Sequence, residues 1–312
     1  MNKVIVVCGP TASGKTQFAH LLAKKNNGEI VNADSMQLYK SLPIITSSPS
    51  PKLRNELPYH LYNFLDINYE CSVAKYAQLA AEKIKEVSTR RKLPILVGGS
   101  GMYINSLIKG FSYIPDIEPE VRKEVRSLQQ SVSSNDFFEL LKKSDSEIAK
   151  VLNAQDSQRV ARAYEVFLQT GKSISYYQKS NTKLLEGFSF KAILLLPNRL
   201  FLYSMCNNRL EQMFKNGAIE EVQRLLNGRC NINALAMKSL GVKEIISYLE
   251  NRVSIEEALE AAKTRTRQYA KRQVTWFKNQ LQEKHIIEFS SYEEYEKILT
   301  MISHICPFSP TT

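Results

Sequence analysis

A glycine-rich motif near the start of the chain constrains the fold more than any other feature. Residues 9–16 read GPTASGKT and match the pattern G-x-x-x-x-G-K-[ST] in full. An apolar run at residues 4–8 precedes the motif, and a helical segment at residues 17–25 follows it. A strand, a glycine-rich turn and a helix in this order direct backbone N–H groups and a helix N-terminus at a phosphate group. The predicted phosphate-binding loop consists of Gly9, Pro10, Thr11, Ala12, Ser13, Gly14, Lys15 and Thr16, and the Thr16 hydroxyl can reach a magnesium ion.

The sequence does not supply the acid that nucleotide hydrolases place beside such a loop. Motor ATPases and G-proteins have an Asp at the end of a second apolar strand, where it positions Mg²⁺. Here the apolar run 94–97 ends in Gly-Gly-Ser-Gly, and the run 192–196 ends in Pro-Asn. Acids stand at the ends of two other runs that we interpret as strands, with Asp34 after residues 29–33 and Asp66 after residues 61–65. The loop therefore need not hold ATP.

Asp34 is the candidate general base. It follows the apolar run at residues 29–33, which we interpret as a strand. Because the carboxyl ends of parallel strands meet at one edge of a sheet, Asp34 can face the far end of a bound phosphate. A carboxylate at that place suits proton removal during a group transfer. The alternative is that Asp34 caps the N-terminus of a following helix.

The order of apolar and helical stretches predicts an α/β fold. Short apolar runs alternate with helices over residues 1–111, which is typical of a parallel sheet covered by helices, as in P-loop NTPases. Charged helical periodicity replaces strands over residues 112–186, and a buried strand returns at 192–196. We predict a catalytic core made of residues 1–111 and 187–312, with a helical C-terminal region, and an all-helical subdomain inserted at 112–186.

Three further stretches carry structural expectations. Four prolines fall within residues 43–58 and predict an exposed, mobile loop. The chain after Arg199 is expected to be helical almost throughout, and residues 303–312 to form a loose tail.

The apolar runs are too short to cross a bilayer, and the five cysteines have neither metal-ligand nor disulfide spacing. These features predict a cytoplasmic protein.

A basic segment raises the prospect of a polyanionic partner. The chain has 42 Lys and Arg against 31 Asp and Glu, a net charge of +11. Residues 263–278 hold six of the basic residues, no acid and the only Trp. On a helix, positions seven apart share a face, so cations can face a nucleic-acid backbone while aromatic residues face the core. A solvated charged helix explains the segment equally well.

Five segments together resemble one known family. They are residues 9–16, 34–39 (DSMQLY), 98–103 (GGSGMY), 156–166 (DSQRVARAYEV) and 267–276 (RQYAKRQVTW). Their order and spacing over nearly the whole chain resemble bacterial tRNA dimethylallyltransferases, the IPP transferase family. The resemblance implies an enzyme that transfers a dimethylallyl group from dimethylallyl diphosphate to the exocyclic amine of the adenosine 3′ of the tRNA anticodon. It also implies Mg²⁺ and release of diphosphate. We expect the enzyme to be a monomer.

The resemblance assigns roles to individual residues. The loop at residues 9–16 would hold the diphosphate of the prenyl donor, with Mg²⁺ on Thr16. Asp34, Ser100 and Arg209 would be catalytic, with Asp34 as the general base. The residues that match tRNA-contacting positions are Asp34, Ser35, Met36, Gln37, Ser100, Arg122, Gln158, Arg159, Val160, Ala161, Arg162, Lys271, Arg272, Gln273, Val274, Thr275, Trp276, Phe277 and Lys278.

The sequence departs from the family pattern at three positions. Ser100 stands where Thr is usual, Met205 where a second Arg is frequent, and Val242 where Tyr is usual.

Three other functions would each explain some of these sequence features. A small-molecule kinase would use the loop for ATP, a non-catalytic RNA-binding protein would use the basic segment, and an adenine-nucleotide prenyltransferase would use the loop and Asp34.

Overall fold

The structure is a computed structural model that describes residues 2–228, 230–232 and 234–304. The chain divides into two compact units, one formed by Met1–Ile108 with Leu184–Thr312 and the other by Lys109–Lys183. The strands are β1 (Asn2–Cys8), β2 (Gly28–Asn32), β3 (Tyr59–His60), β4 (Leu93–Gly98), β5 (Phe188–Pro197) and β6 (Lys284–Phe289).

The helices span both units, and a 3₁₀ turn at Leu235–Lys238 lies between α11 and α12. In chain order they are α1 (Lys15–Lys25), α2 (Pro51–Glu56), α3 (Val73–Thr89), α4 (Gly101–Ile108), α5 (Pro119–Ser131), α6 (Ser134–Ser144), α7 (Ser146–Ala149), α8 (Ser157–Thr170), α9 (Ile174–Gln178), α10 (Arg199–Lys215), α11 (Ala218–Asn227), α12 (Val242–Leu249), α13 (Ile255–Gln280) and α14 (Tyr292–His304).

A parallel sheet forms the centre of the first unit. Its strand order is β3-β2-β4-β1-β5-β6, and every neighbouring pair is parallel. Ile5 of β1 lies opposite Ile95 of β4 on one side and Lys191 of β5 on the other. The residues of β1 from Val4 to Cys8 are fully buried, as expected for a central strand covered by helices on both faces. The predicted α/β fold with a parallel sheet flanked by helices is confirmed.

The second unit consists of helices α5 to α9 around its own apolar core. Phe137 and Val160 are at most 2 % exposed, and the Phe137 ring meets Tyr164 edge to face. Glu165 is buried beside this core, where the Arg126 guanidinium donates to it at 3.0 Å. The sequence placed a helical subdomain at residues 112–186, and this unit covers Lys109–Lys183.

The proline-rich stretch at residues 43–58 is only partly the exposed loop that the sequence predicted. Ile45 is 4 % exposed and Pro49 is buried, whereas most of residues 50–58 are exposed. Pro51 begins helix α2, with the Ser50 hydroxyl as its N-cap. Proline suits the first turn of a helix because the missing N–H has no intrahelical partner there. The same residue type that indicated a loop therefore marks a helix start.

Two further expectations about strands differ from the structure. The sequence predicted helix almost throughout after Arg199 and did not predict β6, which pairs with β5 at the edge of the sheet. Only one of the six β6 residues, Phe289, is buried, so the strand leaves no continuous apolar run. The apolar run at residues 61–65 is not a strand, because Leu61 and Asn63 have positive φ angles of 62° and 50°.

The remaining expectations concern the end of the chain and the membrane. Residues 303 and 304 complete α14, and the rest of the predicted tail lies outside the described residues. In the described part of the chain, no helix has both the length and the apolar character needed to span a bilayer.

Candidate active site

The glycine-rich loop packs closely against β5 of the sheet and against α14. A Cβ atom on Gly9, which has φ +151°, would overlap the Leu195 carbonyl oxygen of β5. A Cβ atom on Gly14, with φ +79°, would overlap the ring of Tyr295 in α14. The Tyr295 hydroxyl donates to the Gly14 carbonyl at 2.7 Å. Glycine at these two positions therefore lets the loop turn sharply beneath its neighbours.

Lys15 begins α1 and points back along the loop. Its Nζ donates to the Pro10 carbonyl at 2.6 Å. Burial lowers the pKa of Lys15 to about 8, with Asp34 opposing this shift and Arg209 adding to it. The Ser13 hydroxyl is buried without a hydrogen-bond partner among the described residues. An anion in the loop would stabilise the Lys15 charge and could accept from the Ser13 hydroxyl.

A cavity of about 470 Å³ opens over the loop. Loop residues 11–16 form its floor, and Asp34, Gln37 and Arg209 contribute to its walls. Val97 and Met205 add apolar surface to the same cavity. The structure therefore brings together the predicted loop and two of the three predicted catalytic side chains.

Arg209 approaches the loop from α10. Its Nη2 donates to the Thr11 hydroxyl, while its Nε is buried with no hydrogen-bond partner in the described chain. Burial lowers the pKa of Arg209, and nearby Cys206 and Asp34 oppose that shift. Met205, one turn earlier, is 9 % exposed and lines the cavity with an uncharged side chain. Arg209 is thus a half-buried cation that lines the cavity and has an unused, buried Nε donor.

Asp34 leaves β2 in a tight turn. Its backbone N–H donates to Asn32 Oδ1 at 2.8 Å, and its own Oδ1 accepts from the Met36 N–H at 3.0 Å. No α-helix begins between Asp34 and Ser50, a range that the structure describes in full, so the helix-cap alternative was wrong. The carboxylate closes an Asx turn through Oδ1, which leaves Oδ2 for a ligand.

Ser100 supports the Asp34 turn from the neighbouring strand. Its Oγ accepts from the Ser35 N–H at 2.9 Å, and its backbone N–H donates to the Ala33 carbonyl at 3.1 Å. A Cβ atom on Gly98 would overlap the backbone of Ala33, so the two strand ends touch directly. The Ser100 hydroxyl and backbone N–H therefore both bond to the segment around Asp34.

Gln273 has a contact that the sequence did not indicate. It lies on α13 and is 6 % exposed. Its Oε1 accepts from the Thr11 N–H at 2.7 Å, and its Nε2 donates to the Gly99 carbonyl at 2.9 Å. The side chain therefore ties the phosphate loop to the turn between β4 and α4. Its helical spacing from the buried Ala270 and Phe277 could have signalled an inward side chain.

The basic segment of α13 contains cations that pair with other protein groups and residues that are exposed to solvent. Three have protein partners, since Lys263 pairs with Glu211 at 2.7 Å, Arg265 pairs with Glu244 at 2.6 Å, and Arg267 donates to an Asn side chain. The exposed members of the predicted tRNA-contacting set on this helix are Lys271, Arg272, Thr275 and Lys278.

The other members of that set on α13 face inward to different degrees. Phe277 is fully buried, while Val274 and Trp276 are half-buried. The Trp276 ring lies against Gly101 at the start of α4. Lys271, Arg272, Thr275 and Trp276 also line a surface groove of about 500 Å³. The outward face of α13 is therefore a cationic groove with one aromatic wall.

Within the second unit, the predicted tRNA-contacting residues are split between surface and core. Gln158 and Arg159 are exposed, and Arg159 pairs with the Asp that caps α8 at 3.3 Å. Val160 and Ala161 are fully buried in the core of this unit. Arg122 and Arg162 are half-buried, and Arg162 lies 3.7 Å from Glu165. The cations and Gln158 remain candidate contacts, whereas Val160 and Ala161 pack the unit.

The fold and this cavity define an α/β protein with a glycine-rich loop at the carboxyl end of its central strand. The sequence model of the family described as IPP transferase matches residues 37–280. The tRNA dimethylallyltransferase of Rickettsia bellii (strain OSU 85-389) is 49% identical over 303 residues, which cover 97% of this chain and 96% of that protein. The chain therefore belongs to the IPP transferase family, and the resemblance stated from the sequence is confirmed.

Solved structures agree with this assignment. The full-length tRNA isopentenylpyrophosphate transferase from Bacillus halodurans has a TM-score of 0.67 and 30% identity, with 97% of this chain and 96% of that chain covered. A eukaryotic dimethylallyltransferase acting on tRNA has a TM-score of 0.81 and 29% identity, with 97% of this chain and 78% of that chain covered.

Replacing Gln273 by Leu should destabilise the loop region. The substitution leaves the Thr11 N–H and the Gly99 carbonyl without their partner. We expect the free energy of unfolding to fall by about 2 kcal/mol, the usual cost of leaving buried polar groups unpaired. Urea denaturation measures this change. Gln268→Leu, an exposed position on the same helix, is the matched control, and equal losses in both variants would contradict the assignment.

Proposed function

We propose that the protein is a tRNA dimethylallyltransferase. It transfers a dimethylallyl group from dimethylallyl diphosphate to the exocyclic amine of the adenosine 3′ of the anticodon. The observation that carries the proposal is the single cavity in which the phosphate loop, Arg209 and Asp34 meet. Family membership and a relative 49% identical that is named tRNA dimethylallyltransferase support the same activity.

The loop and Arg209 hold the diphosphate end of the donor. The start of α1 and two half-buried cations, Lys15 and Arg209, line the cavity, and the backbone N–H groups of a helix start can bind an anion. Diphosphate would restore the charge that burial disfavours on Lys15 and accept from the unpartnered Arg209 Nε. Val97 and Met205 offer apolar surface to the dimethylallyl tail. These groups stabilise the negative charge that develops as diphosphate leaves.

Thr16 fits a magnesium ion shared with the diphosphate. Its hydroxyl lies in the first turn of α1 and lines the cavity. Among the described residues, no cluster of three or more His, Cys, Asp or Glu side chains could hold a metal, so the ion would take its other ligands from phosphate oxygens and water. Mg²⁺ bound there would neutralise charge on the leaving diphosphate.

Asp34 takes the proton of the acceptor amine. The adenine amine is a weak nucleophile because its lone pair is delocalised into the ring. As the new nitrogen–carbon bond forms, the carbon–oxygen bond to diphosphate breaks, the bonding electrons leave with diphosphate, and an amine proton passes to Asp34. The Met36 N–H holds Oδ1, so Oδ2 is the accepting oxygen. A positioned carboxylate contributes about 10²- to 10⁴-fold to such a step.

The tRNA must present its base to this cavity unstacked. A stacked base cannot enter a side pocket, so the anticodon-loop adenosine is extruded. The segment from Asp34 to Gln37 receives it. The exposed cations Lys271, Arg272 and Lys278 hold the tRNA backbone through charge neutralisation and counterion release.

One assay tests the function against its alternatives. The protein is incubated with labelled dimethylallyl diphosphate, Mg²⁺ and unmodified tRNA, and a parallel reaction contains ATP with small acceptors or AMP. We expect label only in tRNA that has adenosine 3′ of the anticodon. Label on AMP, phosphate transfer from ATP, or no transfer at all would contradict the proposal.

Asp34→Ala should lower turnover by more than about 10²-fold with little change in tRNA affinity, because the variant lacks the general base. Asp66→Ala is the matched control. Asp66 also closes a turn, accepting from the Asn68 N–H at 3.0 Å, but it lies outside the loop cavity. Single-turnover rates and equilibrium tRNA binding separate the two effects. A loss of tRNA binding with an unchanged rate on bound tRNA would make Asp34 a recognition residue instead.

Replacing Lys271 and Arg272 by Ala should weaken tRNA binding and flatten its salt dependence. Each lost phosphate contact reduces the slope of log affinity against log salt by about 0.7 to 0.9, so we expect a change of about 1 to 2. Filter binding over a salt series measures it. Lys52→Gln with Lys85→Gln removes two charges from exposed sites elsewhere. Parallel salt slopes for both double variants would show that the α13 cations are merely solvated.

A further inference from the structure

The loop at residues 42–48 forms part of the cavity wall. Thr46 and Ser47 line the same cavity as the phosphate loop. The backbone of this loop is compact, since the Thr46 N–H donates to the Leu42 carbonyl at 3.2 Å and the Ser48 N–H donates to the Pro43 carbonyl at 2.9 Å. These local bonds shape the loop, but they do not fix its place in the first unit.

Glu221 of α11 attaches this loop to the rest of the unit. It is 4 % exposed, its Oε1 accepts from the Ile44 N–H at 2.8 Å, and its Oε2 accepts from the Ile45 N–H at 2.9 Å. Burial raises the pKa of this carboxyl, and the two amide bonds and Arg224 oppose the shift. A carboxylate offers an acceptor to each N–H at once, whereas an amide side chain would turn a donor toward one of them.

The loop in turn sets the orientation of Gln37. Its Nε2 donates to the Thr46 carbonyl at 3.0 Å and to the Ser47 carbonyl at 2.9 Å. Both hydrogens of the amide are then used, and Oε1 is the atom of this side chain left to accept from a ligand. Gln37 lines the cavity beside Asp34. A shift of Thr46 and Ser47 would therefore rotate the amide that faces the acceptor.

We propose that Glu221 is a positioning residue for the acceptor side of the cavity, acting through residues 42–48 and Gln37. The proposal rests on the proposed function, in which the segment from Asp34 to Gln37 receives the base. Glu221 touches neither the phosphate loop nor the cavity, so it affects placement of the acceptor and not binding of the donor.

The first test replaces Glu221 by Gln and compares it with Glu220→Gln. Glu220 is the exposed neighbour on the same helix, and its substitution makes the same change in charge. In Glu221→Gln we expect kcat to fall by about 10- to 100-fold with an unchanged KM for dimethylallyl diphosphate, because small misplacements of reacting groups cost rates of this order. Glu220→Gln should match the unchanged protein. Equal kinetics in both variants, or a changed KM for the donor, would overturn the proposal.

Hydrogen exchange read by mass spectrometry tests the anchor without any activity. Peptides covering residues 42–48 should exchange faster in Glu221→Gln than in Glu220→Gln, while peptides from the phosphate loop should not change. Unchanged exchange at residues 42–48 would overturn the proposal. If Glu221→Gln does not fold, Glu221→Asp keeps the charge on a shorter side chain, and we expect the same local effect at smaller size.

A double-mutant cycle with Gln37→Ala tests the route of the effect. If Glu221 acts through Gln37, adding Glu221→Gln to Gln37→Ala lowers kcat little further, whereas independent effects multiply. If the fall in kcat of the double variant equals the product of the two single falls, Glu221 does not act through Gln37. If the unchanged protein transfers no prenyl group, the proposed function fails, while the exchange experiment still decides whether Glu221 anchors the loop.

Discussion

The close packing of the glycine-rich loop is the constraint on which the site depends. Its backbone lies under the Leu195 carbonyl of β5 and against Tyr295 of α14, and its Thr11 N–H is bonded to Gln273 of α13. All three partners lie far along the chain from the loop. The conformation of this eight-residue loop is therefore supported by contacts from β5, α13 and α14 as well as by its own sequence.

Two cations share the cavity over the loop, and the proposed function supplies an anion between them. Lys15 and Arg209 are half-buried and line the same cavity, and burial lowers the pKa of both. Asp34 is the nearby acid that opposes both shifts, yet its Oδ1 is engaged with the Met36 N–H. A diphosphate would compensate the two cations and leave Asp34 free to accept a proton. The net positive charge of the chain is thus divided between a small-anion site, internal ion pairs and an exposed face of α13.

Local features of the site could be predicted from the sequence, because they depend on neighbouring residues. The strand, glycine turn and helix around residues 9–16 follow from composition and spacing, and Asp34 follows from its place after an apolar run. Features that depend on distant contacts could not. The acid-free run at 263–278 gave no sign that Arg265 pairs with Glu244. The spacing of Gln273 from Ala270 and Phe277 could indicate an inward side chain, but not that it bonds to the Thr11 N–H. The edge strand β6 was missed because only Phe289 among its six residues is buried, so the sequence there has no continuous apolar run.

The central claim is that the loop holds a diphosphate next to Lys15. The direct measurement is the rate of lysine acylation by trace acetic anhydride, read peptide by peptide over a pH series of about 6 to 10. The account predicts a midpoint near pH 8 for Lys15 in place of the ordinary 10.5, and strong protection of Lys15 when inorganic diphosphate and Mg²⁺ are added. Exposed Lys85 should show no protection. A Lys15 midpoint at the ordinary value, or reactivity of Lys15 unaffected by diphosphate, would contradict the account.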